Sequence, residues 1–343
     1  MALMNKIMSG LISVAMPTGI WEKIIFAFNG GIKNYAWAII ILTLVIKLIM
    51  FPLDFFNRKF TRKNTVMQAE IAPELAVLQK KYGNDKNVMN QKQMELYKKH
   101  NFSPVGSCFF MIINLVLTLV VFFTLFNGLN TMADFKISQQ YEDLKAAYNY
   151  TEVEKIDETI ANENVVKKYD EIKDSWLWID NIWLADSPLV KSIPSFDEYA
   201  NIARLSKEER TEDAKLEYNK IMDPLRTKVG KENGYFILVI LSVLFAVLQQ
   251  VLANKKIRFK KKNILDNEVK APNVPGNKVL MVVMPLMMGY FAFSFNAVFA
   301  LYMVVSSIFG LITSPIINTI IDAMEKKSAD KKKLANSVSY RRK

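Results

Sequence analysis

Cysteine and histidine are nearly absent: Cys108 and His100 stand alone among 343 residues. One cysteine excludes an internal disulfide framework and a thiolate metal cluster. One histidine removes His-based metal sites and leaves little room for a Ser-His-Asp triad. The phosphate loop G-x-x-x-x-G-K-[ST], the dinucleotide pattern G-x-G-x-x-G and the zinc helix H-E-x-x-H are missing too. No metal or cofactor is expected, and the chain is not expected to be an enzyme. Charge is also scarce, at 23% of residues against 51% apolar and 12% aromatic. With a mean hydropathy of +0.11, a membrane class must be tested before any soluble fold.

Four long apolar stretches are present, at 35–53, 104–126, 235–253 and 279–321. A helix needs roughly 20 residues to cross about 30 Å of hydrocarbon. The last stretch is too long for one crossing. It is read as two helices, 279–295 and 297–321, with a turn near Ser294-Phe295-Asn296. The expected fold is therefore all-α and polytopic, with five transmembrane helices. Pro285 and Pro315 inside these runs are tolerated in membrane helices.

Charge sets the expected orientation. Segment 54–103 carries ten Lys/Arg and five Asp/Glu, 254–278 eight and two, and 322–343 eight and three. The long segment 127–234 holds fifteen basic and twenty-two acidic residues. Basic loops beside spans stay cytoplasmic, so 54–103, the loop 254–278 and the tail 322–343 are placed inside. The N-terminal segment 1–34 and the acidic cap 127–234 fall outside, as an odd number of spans requires. The net charge of +12 is thus divided among cytoplasmic faces. Nucleic acid, apart from ribosomal RNA, has little claim on it.

The segments between spans are less specific. Lys6 and the apolar run after it imitate a signal peptide weakly, with no cleavage pattern. Ile20, Trp21, Ile24, Ile25 and Phe28 make one helical face, suited to a helix in the outer interface or to a simple lead-in to the first span. In 54–103, Met67, Ile71, Leu75, Leu78 and Tyr82 form a continuous stripe. A second helix over about 87–100 follows the turn Tyr82-Gly83-Asn84-Asp85, giving an antiparallel hairpin. That hairpin is either a brace or a docking surface. In the cap, Trp176, Trp178 and Trp183 are read as an interface anchor or a small apolar nucleus in a partly ordered segment.

Lys47 is the one ionisable side chain well inside a span, Tyr and Cys set aside. It lies seven residues before Asp54, about 10 Å inside the cytoplasmic end. It either snorkels to the headgroups or faces a wet cavity, since an ammonium in lipid costs at least ~2.5 kcal/mol. Polar stripes on the other spans favour the cavity. Thr43 and Lys47 are i, i+4, and Asn114 and Thr118 repeat that spacing. Ser242 and Gln249 are i, i+7, while Tyr302, Ser306 and Thr313 share a face. Isolated Ser and Thr serve as interhelical glue, but a cation with Asn, Gln and Tyr on several helices exceeds what glue needs. A hydrophilic groove open to the cytoplasm is inferred.

Four stretches then become recognisable in order along the chain. They are 40–53, containing Ile46-Lys47-Leu48-Ile49-Met50-Phe51-Pro52-Leu53; the hairpin from Leu78-Gln79-Lys80-Lys81-Tyr82-Gly83 to Leu96-Tyr97-Lys98-Lys99-His100; Ser103-Pro104-Val105-Gly106-Ser107-Cys108 into Asn114; and Met284-Pro285-Leu286 through Ala300-Leu301-Tyr302-Met303 to Ser306. The sequence resembles the YidC/Oxa/Alb family of membrane-protein insertases in its five-span, Gram-positive-like bacterial form. The resemblance covers 35–126 and 235–321, and not the cap.

The resemblance implies an insertase of the plasma membrane, working alone or beside the Sec translocon, for nascent proteins with short or single spans. It implies a substrate groove around Lys47, Asn114, Tyr302 and Met303, to which the stripe argument adds Thr43, Thr118, Gln249 and Ser306. Lys47 stands where the family usually has Arg, keeping the charge and losing the five-donor fork. Asn114 stands where many members have Gln, and Met303 follows Tyr302 where an aromatic often does. Hairpin contacts are expected at Lys80, Lys81, Tyr82, Gly83, Lys98 and Lys99. The basic tail suits the ribosome, and the signal recognition particle or its receptor and membrane lipids complete the expected partners of a monomer. A solute or anion transporter using the same buried lysine is the alternative, and a non-catalytic scaffold a third class. Neither an inverted repeat nor a pair of broken helices supports transport.

Overall fold

The computed structural model describes residues 16–100, 104–153, 158–253 and 275–340. The signal-like run after Lys6, most of the basic loop 254–278 and the last three residues of the tail lie outside the described residues. Ten helices occur among the described residues: α1 Ile20–Ile32, α2 Tyr35–Tyr82, α3 Lys86–Lys99, α4 Pro104–Val153, α5 Glu158–Ile172, α6 Phe196–Ile202, α7 Glu212–Val229, α8 Ile237–Ala253, α9 Pro275–Ser294 and α10 Ala297–Tyr340. The only extended pairings described are two isolated bridges, Trp176 with Ile179 and Lys191 with Glu232. The fold is all-α.

Among the described residues, three helical segments are long and apolar enough to cross a bilayer: Tyr35–Asn64, Ile112–Asn149 and Ala297–Ser328, with Ile237–Leu252 a shorter apolar helix. They turn large apolar side chains outward, among them Leu48 and Ile49 on α2, Ile112 and Leu115 on α4, and Ile240 on α8. On helices of this length and apolarity, such outward apolar side chains fit a lipid-facing surface.

The chain divides into two compact units: residues 1–45, 122–246 and 285–307 form one, and 46–121, 247–284 and 308–343 the other. In the first unit α4 does not end with its apolar run at 126. It continues to Val153, because Leu125, Leu129, Met132, Ile137, Tyr141, Leu144 and Tyr148 extend one buried stripe without interruption. Gly128 lets α1 approach, since a Cβ there would lie 2.7 Å from Trp21 Cβ. Ile25 of α1 is fully buried, and Phe26 sets its ring edge-on to Tyr35 and Phe135. Ile20, expected on the same face, points outward.

The acidic segment is a folded cap rather than a loose one. Tyr141, Tyr199 and Tyr218 meet with ring centroids 4.8–4.9 Å apart, and Phe196 closes on Tyr218 at 5.6 Å. The Tyr218 hydroxyl donates to Pro194 O at 2.9 Å, an acceptor shared with Arg226 Nη2 at 3.0 Å. A Ser195–Glu198 capping box starts α6, and Thr211 caps α7, which packs on α5. Burial, with the Asp180 charge beside it, holds the Tyr169 hydroxyl above the usual tyrosine range. Buried Asn233 knits the base: it accepts from Asn181 N at 2.8 Å and donates to Asn181 O and Ala185 O at 2.8 and 2.9 Å. Asn181 in turn donates to Gln140 of α4 at 3.0 Å.

In the second unit α2 runs on through Pro52 and Pro73 to Tyr82. Gly83 makes the turn, where a Cβ would meet Gln79 O at 2.4 Å. The Asp85 side chain caps α3 by accepting from Asn87 N and Val88 N. Ile71 and Leu96 are buried together, with Met67, Leu75, Leu78 and Tyr97 packed around them. Lys80, Lys81, Lys98 and Lys99 remain exposed.

One electrostatic contact latches the hairpin. Lys99 Nζ lies 3.2 Å and His100 Nε2 2.9 Å from the Glu74 carboxylate. The Lys99 hydrogen bond, seconded by His100, holds the Glu74 carboxyl below the usual carboxylate range. A depressed folded pKa makes this contribution complete above about pH 5, and it fades as pH falls through the folded value. Amide-exchange protection in the last turn of α3, corrected for intrinsic rates, is expected to drop in acid. Glu74→Gln is expected to remove that pH dependence; an unchanged acid response would refute the latch.

Candidate functional site

The polar side chains singled out on the spans fall into both units, and each follows from its helix. In the first unit, buried Thr43 returns its hydroxyl to Ile39 O at 2.7 Å, and Ser242 returns its own to Val239 O at 2.7 Å. These hydroxyls are satisfied within their own helices. Tyr302 and Met303 are buried on α10, with Ser306 half-buried beyond them. The Tyr302 ring lies 6.1 Å from Phe299, which belongs to an aromatic cluster with Phe122, Phe126 and Phe295.

The second unit holds Lys47, Asn114, Thr118 and Gln249. Lys47 is half-buried, and the charge acting on it is that of Asp54, one heptad along the same helix face. Asn114 presents a buried Oδ1 that has no hydrogen-bond partner among the described residues, while Thr118, exposed, donates to Asn114 O at 2.8 Å. Gln249 lies on the backbone of Gly310, where a Cβ would sit 2.1 Å from its Nε2. Thr313 satisfies itself on Phe309 O at 2.8 Å. An ammonium, an unpaired amide oxygen and a flexible amide therefore belong to one compact unit. They supply donors and acceptors for polar groups.

Sequence reasoning missed a second polar line on the same helix. Arg58 Nη2 donates to the buried Ser314 hydroxyl at 2.7 Å, and Ser314 itself donates to Gly310 O at 2.5 Å. Arg62 pairs with Asp322 at 2.5 Å and Glu325 at 3.0 Å. Asp54, Arg58 and Arg62 recur at i, i+4, i+8, and Asp322 and Glu325 at i, i+3. That spacing was the available signal: facing helices often match charge rows of this kind.

Comparison with known proteins gives the family of the chain. The 60Kd inner membrane protein family matches residues 27–326. A stretch of 121 residues is 37% identical to the membrane protein insertase YidC of Leptospira interrogans serogroup Icterohaemorrhagiae serovar Lai, covering 35% of this chain and 18% of that protein. Over 75 residues the chain is 45% identical to the membrane protein insertase YidC of Clostridium tetani, covering 22% of this chain and 32% of that one. The counterpart in Helicobacter pylori is 32% identical over 108 residues, 32% of this chain and 18% of its own. The matches thus span between 18% and 32% of these relatives' lengths. With nearly the whole helical core inside the matched range, the chain belongs to the 60Kd inner membrane protein family, in which the YidC insertases fall.

Proposed function

We propose that this protein inserts hydrophobic segments of nascent proteins, with their short hydrophilic tails, from the cytoplasm into the bilayer. The family match over residues 27–326 carries this reading. The half-buried Lys47 and the unpaired Asn114 oxygen support it. Polar groups on a lipid-facing helix body lower the barrier for a hydrophilic tail, and the ammonium attracts acidic residues in it. Burying the client span releases on the order of 0.3–0.6 kcal/mol per apolar residue at the helix centre. The membrane potential adds about 2.3 kcal/mol per charge per 100 mV for an anionic tail moving outward.

The proposal includes five spans, at 35–53, 104–126, 235–253, 279–295 and 297–321, in the plasma membrane. The N-terminus and the cap lie outside, and the hairpin, basic loop and tail inside. Exposed lysines of the hairpin and tail fit an anionic cytoplasmic partner such as the ribosome, and the Sec translocon is a companion for larger clients.

The test is transfer of a single-span client into liposomes containing the protein, with the tail scored by protection from added protease. Stalled ribosomes supply the client. Protected tails only in protein-containing liposomes are the expected result. Absence of transfer from a folded protein, with saturable solute flux instead, would replace this reading by the transporter.

A further inference from the structure

The three tryptophans of 174–186 divide into two roles. Trp183 is buried; its ring lies edge-on to Tyr35 at 5.2 Å, and its Nε1 donates to Asp174 at 2.6 Å. Trp176 and Trp178 instead flank a tight turn closed by reciprocal backbone bonds between Trp176 and Ile179, both 2.9 Å. At its tip Leu177 has φ 51° and is 71% exposed. A left-handed backbone is a position for glycine or asparagine. A leucine there meets a steric cost and leaves its side chain in the open, with no return inside the chain.

The position of the turn supplies the missing partner. Its segment is tied to the ends of the apolar helices of the same unit. Ala297 N and Val298 N, which open α10, donate to Leu184 O and Ile182 O at 2.7 and 3.1 Å. Asp186 accepts from Tyr235 N and Leu238 N at the start of α8. Trp37, in the first turn of α2, meets Trp176 at 6.2 Å. Leu189, three residues past Asp186, is a second outward apolar tip at 76% exposure. Tryptophans with exposed leucines at the level of span ends match the headgroup boundary of a bilayer.

We propose that the Trp176–Leu177–Trp178 turn, with Leu189, is a lipid anchor that dips into the headgroup and upper acyl region of the outer leaflet. The inference rests on the reading that α2, α8 and α10 cross the membrane. The test places one cysteine at a time in a Cys108→Ser background, in full-length protein in nanodiscs. Leu177→Cys and Leu189→Cys probe the tips. Ile240→Cys, 62% exposed on α8, probes a span, and Leu216→Cys, 66% exposed on α7, the far side of the cap. Each carries a fluorophore and meets either lipid-borne nitroxide or aqueous iodide. Expected is strong lipid quenching at 240, iodide quenching at 216, and lipid quenching at 177 and 189 from nitroxides near the headgroup rather than deep in the chains. Lipid contact at 240 with water contact at both tips would overturn the anchor alone. Water contact at 240 as well would overturn the membrane-spanning reading, and the anchor with it. Should Leu177→Cys not fold, the Leu189 label decides.

Discussion

Lys47→Leu is expected to slow transfer of an acidic client tail by about 30-fold, from loss of roughly 2 kcal/mol of charge-assisted contact. A tail without charge is expected to lose little, because hydration by Asn114 and Gln249 is untouched. Lys47→Arg is expected to keep the acidic client or improve it, since a guanidinium holds a carboxylate with two parallel bonds. Asp54 sharpens the experiment: its charge acts on Lys47 within the same unit. Asp54→Asn removes an internal competitor for the ammonium, so acidic tails are expected to gain and neutral ones not. Protection of the tail from protease, measured for clients differing only in tail charge, gives the result. Equal transfer of acidic tails by wild type and Lys47→Leu would sink the charged-site account and leave hydration alone.

Asp186→Ala is expected to be the most damaging single change in the cap. The side chain is 1% exposed. Its Oδ2 accepts from Leu238 N at 2.6 Å, and its Oδ1 from Tyr235 N at 2.9 Å and Trp178 Nε1 at 3.3 Å. It thereby serves as the N-terminal cap of α8, a carboxylate at the positive end of the helix dipole. The neighbouring Gly234 has no room for a Cβ, which would fall 2.9 Å from Asp186 Cα. Alanine would leave buried N–H groups unpaired, a loss of about 3–5 kcal/mol. Asparagine keeps the shape and one acceptor oxygen and is expected to cost about half as much. Denaturant unfolding followed by tryptophan emission measures both; a change under about 0.5 kcal/mol for alanine would show that water replaces the carboxylate.

What could be read from the sequence was what is local. Apolar run lengths and helical stripes pointed to an all-α membrane chain. The Met67–Ile71–Leu75–Leu78 row is four positions on one helix, and its partners Leu96 and Tyr97 lie on the very next helix. The cap was illegible for the opposite reason. Its core is scattered over 137–225, with Tyr141, Tyr148, Tyr169, Tyr199 and Tyr218, which hydropathy weighs lightly, set among the aliphatics. It is tied by amides such as Asn181 and Asn233, 52 positions apart. Arg58 and Ser314 are separated by 256 positions, and no periodicity within either helix names the other. Stripe spacing selected Thr43 and Ser242 for the groove, yet their hydroxyls close on their own helices. Spacing alone does not distinguish such closed hydroxyls from the buried oxygen of Asn114, which has no partner among the described residues.

The two backbone bonds from Ala297 and Val298 to Leu184 and Ile182 also set an order of events during synthesis. Their partners are about 115 residues apart in the chain, so the carbonyls are made long before the amides that satisfy them. A ribosome working at roughly 5–20 residues per second leaves that loop incomplete for about 6–23 seconds. These two ties of the cap therefore close only after the start of α10 has been made. Part of the main-chain pairing of residues 182–184 thus waits on Ala297 and Val298, a late event in the making of the chain.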